Sequence, residues 1–372
     1  MIDWHYPRTD LAKAYLDQFA TGITSALTLF APRRYGKTEF LLRDLVPAAE
    51  EQGYRVVYAS MWASRADPLS ALLAAIDAAL TPHGLTEKIR GVFSGSTKSV
   101  ELEVGLAHAV KVRGQVNVAG KRESSKPSAL LDLPVKLDTL IRRAKRGRVL
   151  LLLDEVQHLA KPRYQDLVAA LRTALDTRKD RVKVVYTGSS RVRLQQMFES
   201  IHAPLFRASQ TTVFPGLDEQ FVRFMAENVY QATGRRLILP KAIEGFEVVA
   251  RSPGLFREAI EEVVMGGGGD IVKLCRAIVE KARHGSGYEK IWASFMEIDR
   301  AIVMRVVRGT PLYTDAARTA LAQNAGGATP TTSQVQARLK TLLRAQVLLN
   351  NGRGKYELED PGFAAWIADQ QR

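Results

Sequence analysis

Residues 31–38 read APRRYGKT. They follow an apolar, β-prone run, TSALTLFA at 24–31, and lead into a helix-forming stretch from Lys37 to Glu51. A loop between a buried strand and a helix N-terminus gathers backbone N–H groups, and phosphate is the anion such a loop takes. In this pattern the loop residues Pro32, Arg33, Arg34 and Tyr35 wrap the phosphates, and Gly36 permits close backbone approach. Lys37 neutralises the β- and γ-phosphates, Thr38 offers a hydroxyl to Mg²⁺, and Glu39 follows on the first helical turn. The pattern asks for Gly at its first position, where this chain has Ala31.

A second stretch strengthens the first. Residues 149–155 read VLLLLDE, an apolar strand ending in two acids. In a parallel sheet the strand C-termini line the ligand crevice. There Asp154 would hold Mg²⁺ through water and Glu155 would polarise an attacking water. The plainer reading is an acidic cap on the next helix, a place Asp often fills. A third strand, VKVVYT at 182–187, ends in Gly188-Ser189-Ser190. Ser189 there suits a γ-phosphate contact or a water-orienting role, and Gly and Ser equally suit a simple turn.

Outward from these motifs, RVVYASM at 55–61 reads as a strand and Pro68 to Leu80 as a helix. Helices are expected at 37–51, closed by Gly53 and disturbed at Pro47, at 130–145 and at 164–175. Strands alternating with helices imply a parallel sheet covered on both sides. Residues 91–128 differ: they carry VELEVGL and VKVRGQVNV and read as a basic hairpin or loop insertion. After Glu219 helices dominate, interrupted by MGGGGD at 265–270, until LLNNGRGKYELED at 348–360, which reads as a hairpin.

Composition bounds the class. The chain has 372 residues, long for one core and suited to two or three domains. One cysteine, Cys275, excludes an intramolecular disulfide and a Cys-rich zinc site, and is expected to be a buried thiol. The six histidines, His158 among them, show no metal-ligand spacing. No nucleophile-elbow motif is present. No secretory leader and no apolar run of spanning length appear, so a cytoplasmic location and no membrane partner are expected. Net charge is +14, which points to a polyanionic partner or a solvated basic surface. Residues 88–148 hold 14 Lys and Arg against 5 Asp and Glu, and residues 271–372 hold 15 against 9.

APRRYGKTEFLLRDL, LLLLDEVQHL, VVYTGSSRVRLQQMF and APLFRA together resemble the archaeal-type ATPase family, in the STAND branch of the AAA+-like P-loop NTPases. The tail GKYELEDPGFAAWI is similar to the end of that family's winged helix. The resemblance implies an ASCE-type α/β core, a helical lid and a C-terminal winged helix-turn-helix, with ATP hydrolysis coupled to a conformational switch. The corresponding boundaries are 1–217 for the core, with the insertion at about 91–128, then 218–290 for the lid and 291–372 for the winged helix. It implies ATP and Mg²⁺ as ligands, a sensor segment at Thr187 to Ser190, and an arginine, Arg207, that reaches a γ-phosphate in cis or from a neighbour. Arg251-Ser-Pro-Gly254 falls at the family's lid motif but departs from its Gly-x-Pro order. Tyr6 and Arg8 fall where the family's N-terminal segment approaches adenine.

The winged-helix stretch offers Thr331, Thr332 and Ser333 as caps and Gln334, Gln336, Arg338, Lys340 and Arg344 on the following helix. Placed in a major groove, such side chains suit DNA contact. Arg353 and Lys355 at the wing tip, and Lys111, Arg113, Lys121 and Arg122 in the insertion, suit phosphate-backbone contact. Three functions compete: an ATP-driven, DNA-associated switch, with an ATP-dependent homo-oligomer among its expected forms; a signalling ATPase whose winged helix and insertion recruit a protein effector; and a nucleotide binder with negligible turnover.

Overall fold

The computed structural model describes residues 2–62, 66–80, 85, 127–266, 269–285, 287–325, 328–345, 347–350, 356–358 and 361–369. The basic stretch before residue 127, with Lys111, Arg113, Lys121, Arg122 and Lys126, lies outside them, as do Arg353 and Lys355. The described part forms two compact units: residues 1–231 with 252–254, and residues 232–251 with 255–372.

The first unit is built on five parallel strands: β1 (Ala26–Phe30), β2 (Arg55–Ser60), β3 (Val149–Asp154), β4 (Val182–Gly188) and β5 (Gln210–Val213). Their order is β2-β3-β4-β1-β5. β3 and β4 are buried along their whole length, as their unbroken Val and Leu runs require. Register sets the site: Phe30 lies beside Gly188, and Ser60 beside Asp154. The strand ends are therefore level, with β4 inserted between the strand that carries the loop and the strand that carries the acids. One face is covered by α1 (Thr9–Ala20) through Ala12, Tyr15, Leu16 and Phe19. The other is covered by helices including α4 (Pro68–Ala79), α5 (Pro127–Arg143) and α6 (Gln165–Asp176).

The helix after β1 runs from α2 (Lys37–Phe40) to α3 (Val46–Glu51) through a widened turn at Leu41–Leu45. Pro47 explains that turn. It has no N–H to give, and its ring would strike the carbonyl four residues back in a regular α-helix. One wide turn accommodates it without ending the helix. The helix closes as expected at Gly53, with Tyr54 N–H on the Ala49 carbonyl at 2.9 Å and Gly53 N–H on Glu50 at 3.0 Å. α5 begins at Pro127, so residues 127 and 128, read above as insertion, open this helix.

The second unit is helical, with a small hairpin. α9 (Leu239–Val248) packs on α11 (Ile271–Gly285), where the Cβ position of Gly245 would lie 3.1 Å from Cys275 Sγ. Cys275 is fully buried and burial pushes its thiol up to about 11, as suits an inert core residue. Further on, α13 (Glu297–Val307), α14 (Asp315–Ala325), α15 (Thr332–Arg344), the antiparallel pair β6 (Leu348–Asn350) and β7 (Tyr356–Leu358), and α16 (Pro361–Asp369) share one core. Phe363 and Trp366 are buried in it. Among the described residues no helix is long and apolar enough to cross a membrane.

Candidate nucleotide site

The loop from Ala31 to Gly36 leaves β1 at Phe30. Ala31 is buried, its N–H on the Gly188 carbonyl at 3.4 Å, and it does not take a left-handed backbone. A side chain therefore fits at the pattern's first position. Gly36 does need its freedom: φ is +80°, and open space lies where a Cβ would stand. Arg34 is left-handed too, at φ 65°. Its carbonyl accepts Gly254 N–H at 3.1 Å and Ser252 Oγ–H at 3.4 Å. A Cβ on Gly254 would come within 2.8 Å of Arg34 Cβ, so this approach needs glycine. The Ser252-Pro253-Gly254 segment thus braces the loop.

Lys37 lies at the start of α2, 5% exposed, with Nζ donating to the Ala31 and Pro32 carbonyls at 2.7 and 2.9 Å. Burial lowers its pKa, Glu155 and Asp154 oppose that, and Arg33 adds to it. Pro32 contributes a carbonyl and no N–H. The Arg33 guanidinium lies over the Trp62 ring at 4.9 Å, and Trp62 meets His158 edge-on. Tyr35 packs partly buried against the α1 side of the sheet. Glu39 faces away toward His5 and Arg43, at 3.6 and 3.5 Å.

Asp154 is fully buried at the end of β3 and gathers four donors. Thr38 Oγ1–H and Tyr58 OH reach Oδ2 at 2.7 and 3.0 Å. Thr187 Oγ1–H and the Glu155 N–H, the latter at 3.1 Å, reach Oδ1. Hydroxyls and one amide around an anionic carboxylate make strong, charge-assisted bonds. Glu155 is left-handed, at φ 55°, a strained conformation of the kind that collects at functional sites. Its Oε2 accepts Ser189 Oγ–H at 2.9 Å and an N–H of the Gln157 amide. Three consecutive residues divide their work: Gly188 ends β4, Ser189 turns to Glu155, and Ser190 caps α7 (Arg191–Phe198) on Arg193 N–H at 3.4 Å.

The donor set fits the group the loop implies. A Thr hydroxyl and an Asp carboxylate are hard oxygen donors suited to Mg²⁺, which keeps several waters and takes few protein ligands. Arg207 is exposed, with its guanidinium over Phe206 at 5.1 Å. Tyr6 packs edge-on against Phe221 and Phe224. Arg8 lies over Phe214 at 4.3 Å and donates to the Pro215 carbonyl at 2.6 Å. Tyr58, Gln157 and the Ser252/Gly254 brace were missed by the sequence reading. Tyr58 had a signal, since a phenol inside an apolar strand must find a partner for its hydroxyl.

On the winged-helix candidate surface, Thr331 and Gln334 form a reciprocal cap, with Thr331 N–H on Gln334 Oε1 at 2.8 Å. Gln334 is thereby occupied. Arg338 forks Asp299, Nε on Oδ1 at 2.8 Å and Nη2 on Oδ2. This corrects its place among the groove-facing side chains: a buried carboxylate on α13 draws the guanidinium inward. Gln336, Lys340 and Arg344 remain exposed.

No family model matches the sequence, and no curated protein matches it. Solved structures do. A Walker-type ATPase of Pyrococcus abyssi is 16% identical, with 98% of each chain covered and a TM-score of 0.55. The ORC2 protein of Aeropyrum pernix in its ADP form is 15% identical, with 97% of this chain and 93% of that one covered and a TM-score of 0.53. At such identities the likeness is one of fold. The chain has the fold of the P-loop ATPases, as the order of its strands and its loop–helix junction require.

Proposed function

We propose that this chain is an ATP-binding and ATP-hydrolysing molecular switch. The observation that carries the reading is the meeting of Thr38 and Asp154, 2.7 Å apart, beside a loop whose lysine is buried. The loop amides and Lys37 bind the phosphates, and Thr38 and Asp154 are the residues to hold Mg²⁺. When bound, that ion supplies positive charge to the phosphate oxygens. Glu155 takes a proton from water as the water oxygen bonds to the γ-phosphorus. The bond from that phosphorus to the β–γ bridging oxygen breaks, giving ADP and phosphate, and the proton passes to solvent. Arg207, being exposed, suits a γ-phosphate on a neighbouring copy.

The helices at 218–290 serve in this reading as the lid and residues 291–372 as the winged helix that reports nucleotide state. Association with DNA is supported by the net charge of +14 and by Gln336, Lys340 and Arg344 on one exposed helix face. A protein effector is the second reading, favoured by the loss of Arg338 from that face to Asp299. ATP turnover with and without duplex DNA, in the parent and in Lys37→Ala and Glu155→Gln, tests these readings. Turnover stimulated by DNA supports the first. Turnover indifferent to DNA moves the partner to protein, and absence of turnover leaves nucleotide binding alone.

A further inference from the structure

We infer that Gln157 is a positioning residue that sets the Glu155 carboxylate for hydrolysis; the inference rests on the ATPase reading above. Gln157 is 3% exposed, on the short turn after β3. Its Nε2 donates to Glu155 Oε2 and to Ser189 Oγ, the latter at 3.0 Å. A carboxylate only accepts, so the amide nitrogen must be the end that faces Glu155. That leaves Oε1 turned toward Gly188, where a Cβ would lie 2.6 Å away. Oε1 is buried and accepts no hydrogen bond among the described residues. A buried acceptor left unpaired costs free energy, so packing alone would favour an apolar side chain here. The other end of the amide gives the reason for keeping it.

The geometry around Glu155 leaves little freedom. Its backbone is pinned by N–H bonds to Asp154 Oδ1 and to Thr187 Oγ1 at 3.1 and 3.3 Å. Its Oε2 is held between Ser189 and Gln157. The second oxygen, Oε1, is then the one presented to water. Because the amide is neutral, it orients the carboxylate without cancelling its charge. Gly188 belongs to the same device, since a Cβ there would meet Gln157 Oε1 at 2.6 Å, with Leu194 Cδ2 beside it at 2.9 Å.

The test is a steady-state and binding comparison of the parent, Gln157→Leu, Gly188→Ala, Glu155→Gln and the double variant Gln157→Leu/Glu155→Gln. Gln157→Leu is expected to lower kcat by about 10- to 100-fold while ADP affinity stays within about twofold. Gly188→Ala, which keeps the amide but displaces it, is expected to lower kcat in the same way. In the Glu155→Gln background the Gln157 change is expected to add nothing, because both act through one carboxylate. A Gln157→Leu enzyme with parental kcat overturns the inference and leaves the ATPase reading standing. Additive losses in the double variant, or equal losses of kcat and ADP affinity, overturn it in favour of a packing role. A parent chain that binds ADP without turning over ATP sinks the ATPase reading, and this inference with it.

Discussion

Thr38 and Asp154 are 116 residues apart in the chain and joined by a 2.7 Å hydrogen bond in the fold. The first stands at the start of a helix, the second at the end of a strand two places away in the sheet. Only level strand ends bring them together. A hydroxyl and a carboxylate that already touch need little rearrangement to share one cation.

Lys37→Ala is expected to lose phosphate binding. Removing the one buried ammonium of the loop should reduce turnover by about 10²-fold or more at fixed ATP. A fluorescent nucleotide titration checks it, and unchanged affinity would contradict the loop assignment.

Glu155→Gln should separate binding from chemistry. Its ATP affinity is expected to remain while kcat falls by about 10²- to 10⁴-fold, the range of a lost general base. Single-turnover hydrolysis beside equilibrium binding distinguishes the two effects.

Tyr58→Phe removes one of the four donors on Asp154 without opening a cavity. A loss of about 1.5–3 kcal/mol in stability is expected from one hydrogen bond to a charged acceptor. The Mg²⁺ concentration for half-maximal turnover should also shift. Urea denaturation and a Mg²⁺ titration measure the two outcomes, and no change in either would detach Tyr58 from the site.

His5 gives a pH signature. Burial alone would lower its pKa, but hydrogen bonds to Asp44 and Glu39 outweigh burial and the opposing charge of Arg43, and the pKa is raised above the ordinary 6.5. A raised histidine contributes stability that is full below 6.5 and lost as pH climbs through the higher folded value. The parent should therefore exceed His5→Gln in melting temperature at pH about 5.5, and the gap should narrow by pH about 8.5. A gap that widens with pH would reverse the sign of this argument.

Arg338→Ala should behave as a stability variant. Asp299 is 4% exposed, and stripping its bidentate partner leaves a buried charge. A cost of about 2–3 kcal/mol is expected, below the fully buried range because Arg338 is itself partly exposed. Lys340→Ala and Arg344→Ala should leave melting unchanged and, if DNA is the partner, each should reduce the salt slope of duplex binding by about 1. Calorimetry and salt titrations separate the two classes.

The sheet and its two motifs were legible because they rest on strong local signals. VLLLLD reads as a strand buried on both faces, and the structure has that strand buried along its whole length. GKT after an apolar run reads as a strand-to-helix junction, and α2 does begin at Lys37. The edge strand β5 was not legible: QTTV has no apolar alternation, since it is paired on one side only. The spacing of Ala12, Tyr15, Leu16 and Phe19 marks α1, although residues 9–20 stand unassigned in the sequence reading. In the candidate site, Lys37, Thr38, Asp154 and Glu155 were readable as residue types in a pattern, and the fold brings Thr38 to Asp154. Tyr58 and Gln157 were not, because their roles depend on which strands lie side by side. Arg338 was read as a groove contact from its charge and its place on a helix, while Asp299, far away in sequence, pairs with it.

The brace between Gly254 and Arg34 has a practical reach. Residues 252–254 belong to the first compact unit, although the twenty residues before them belong to the second. The chain leaves the first unit and returns to it for three residues before departing again. A single cut after residue 231 would therefore not release the whole first unit. It would strip the carbonyl of a left-handed loop residue, Arg34, of the Gly254 N–H and the Ser252 hydroxyl. An excised first unit would have to carry that three-residue stitch with it.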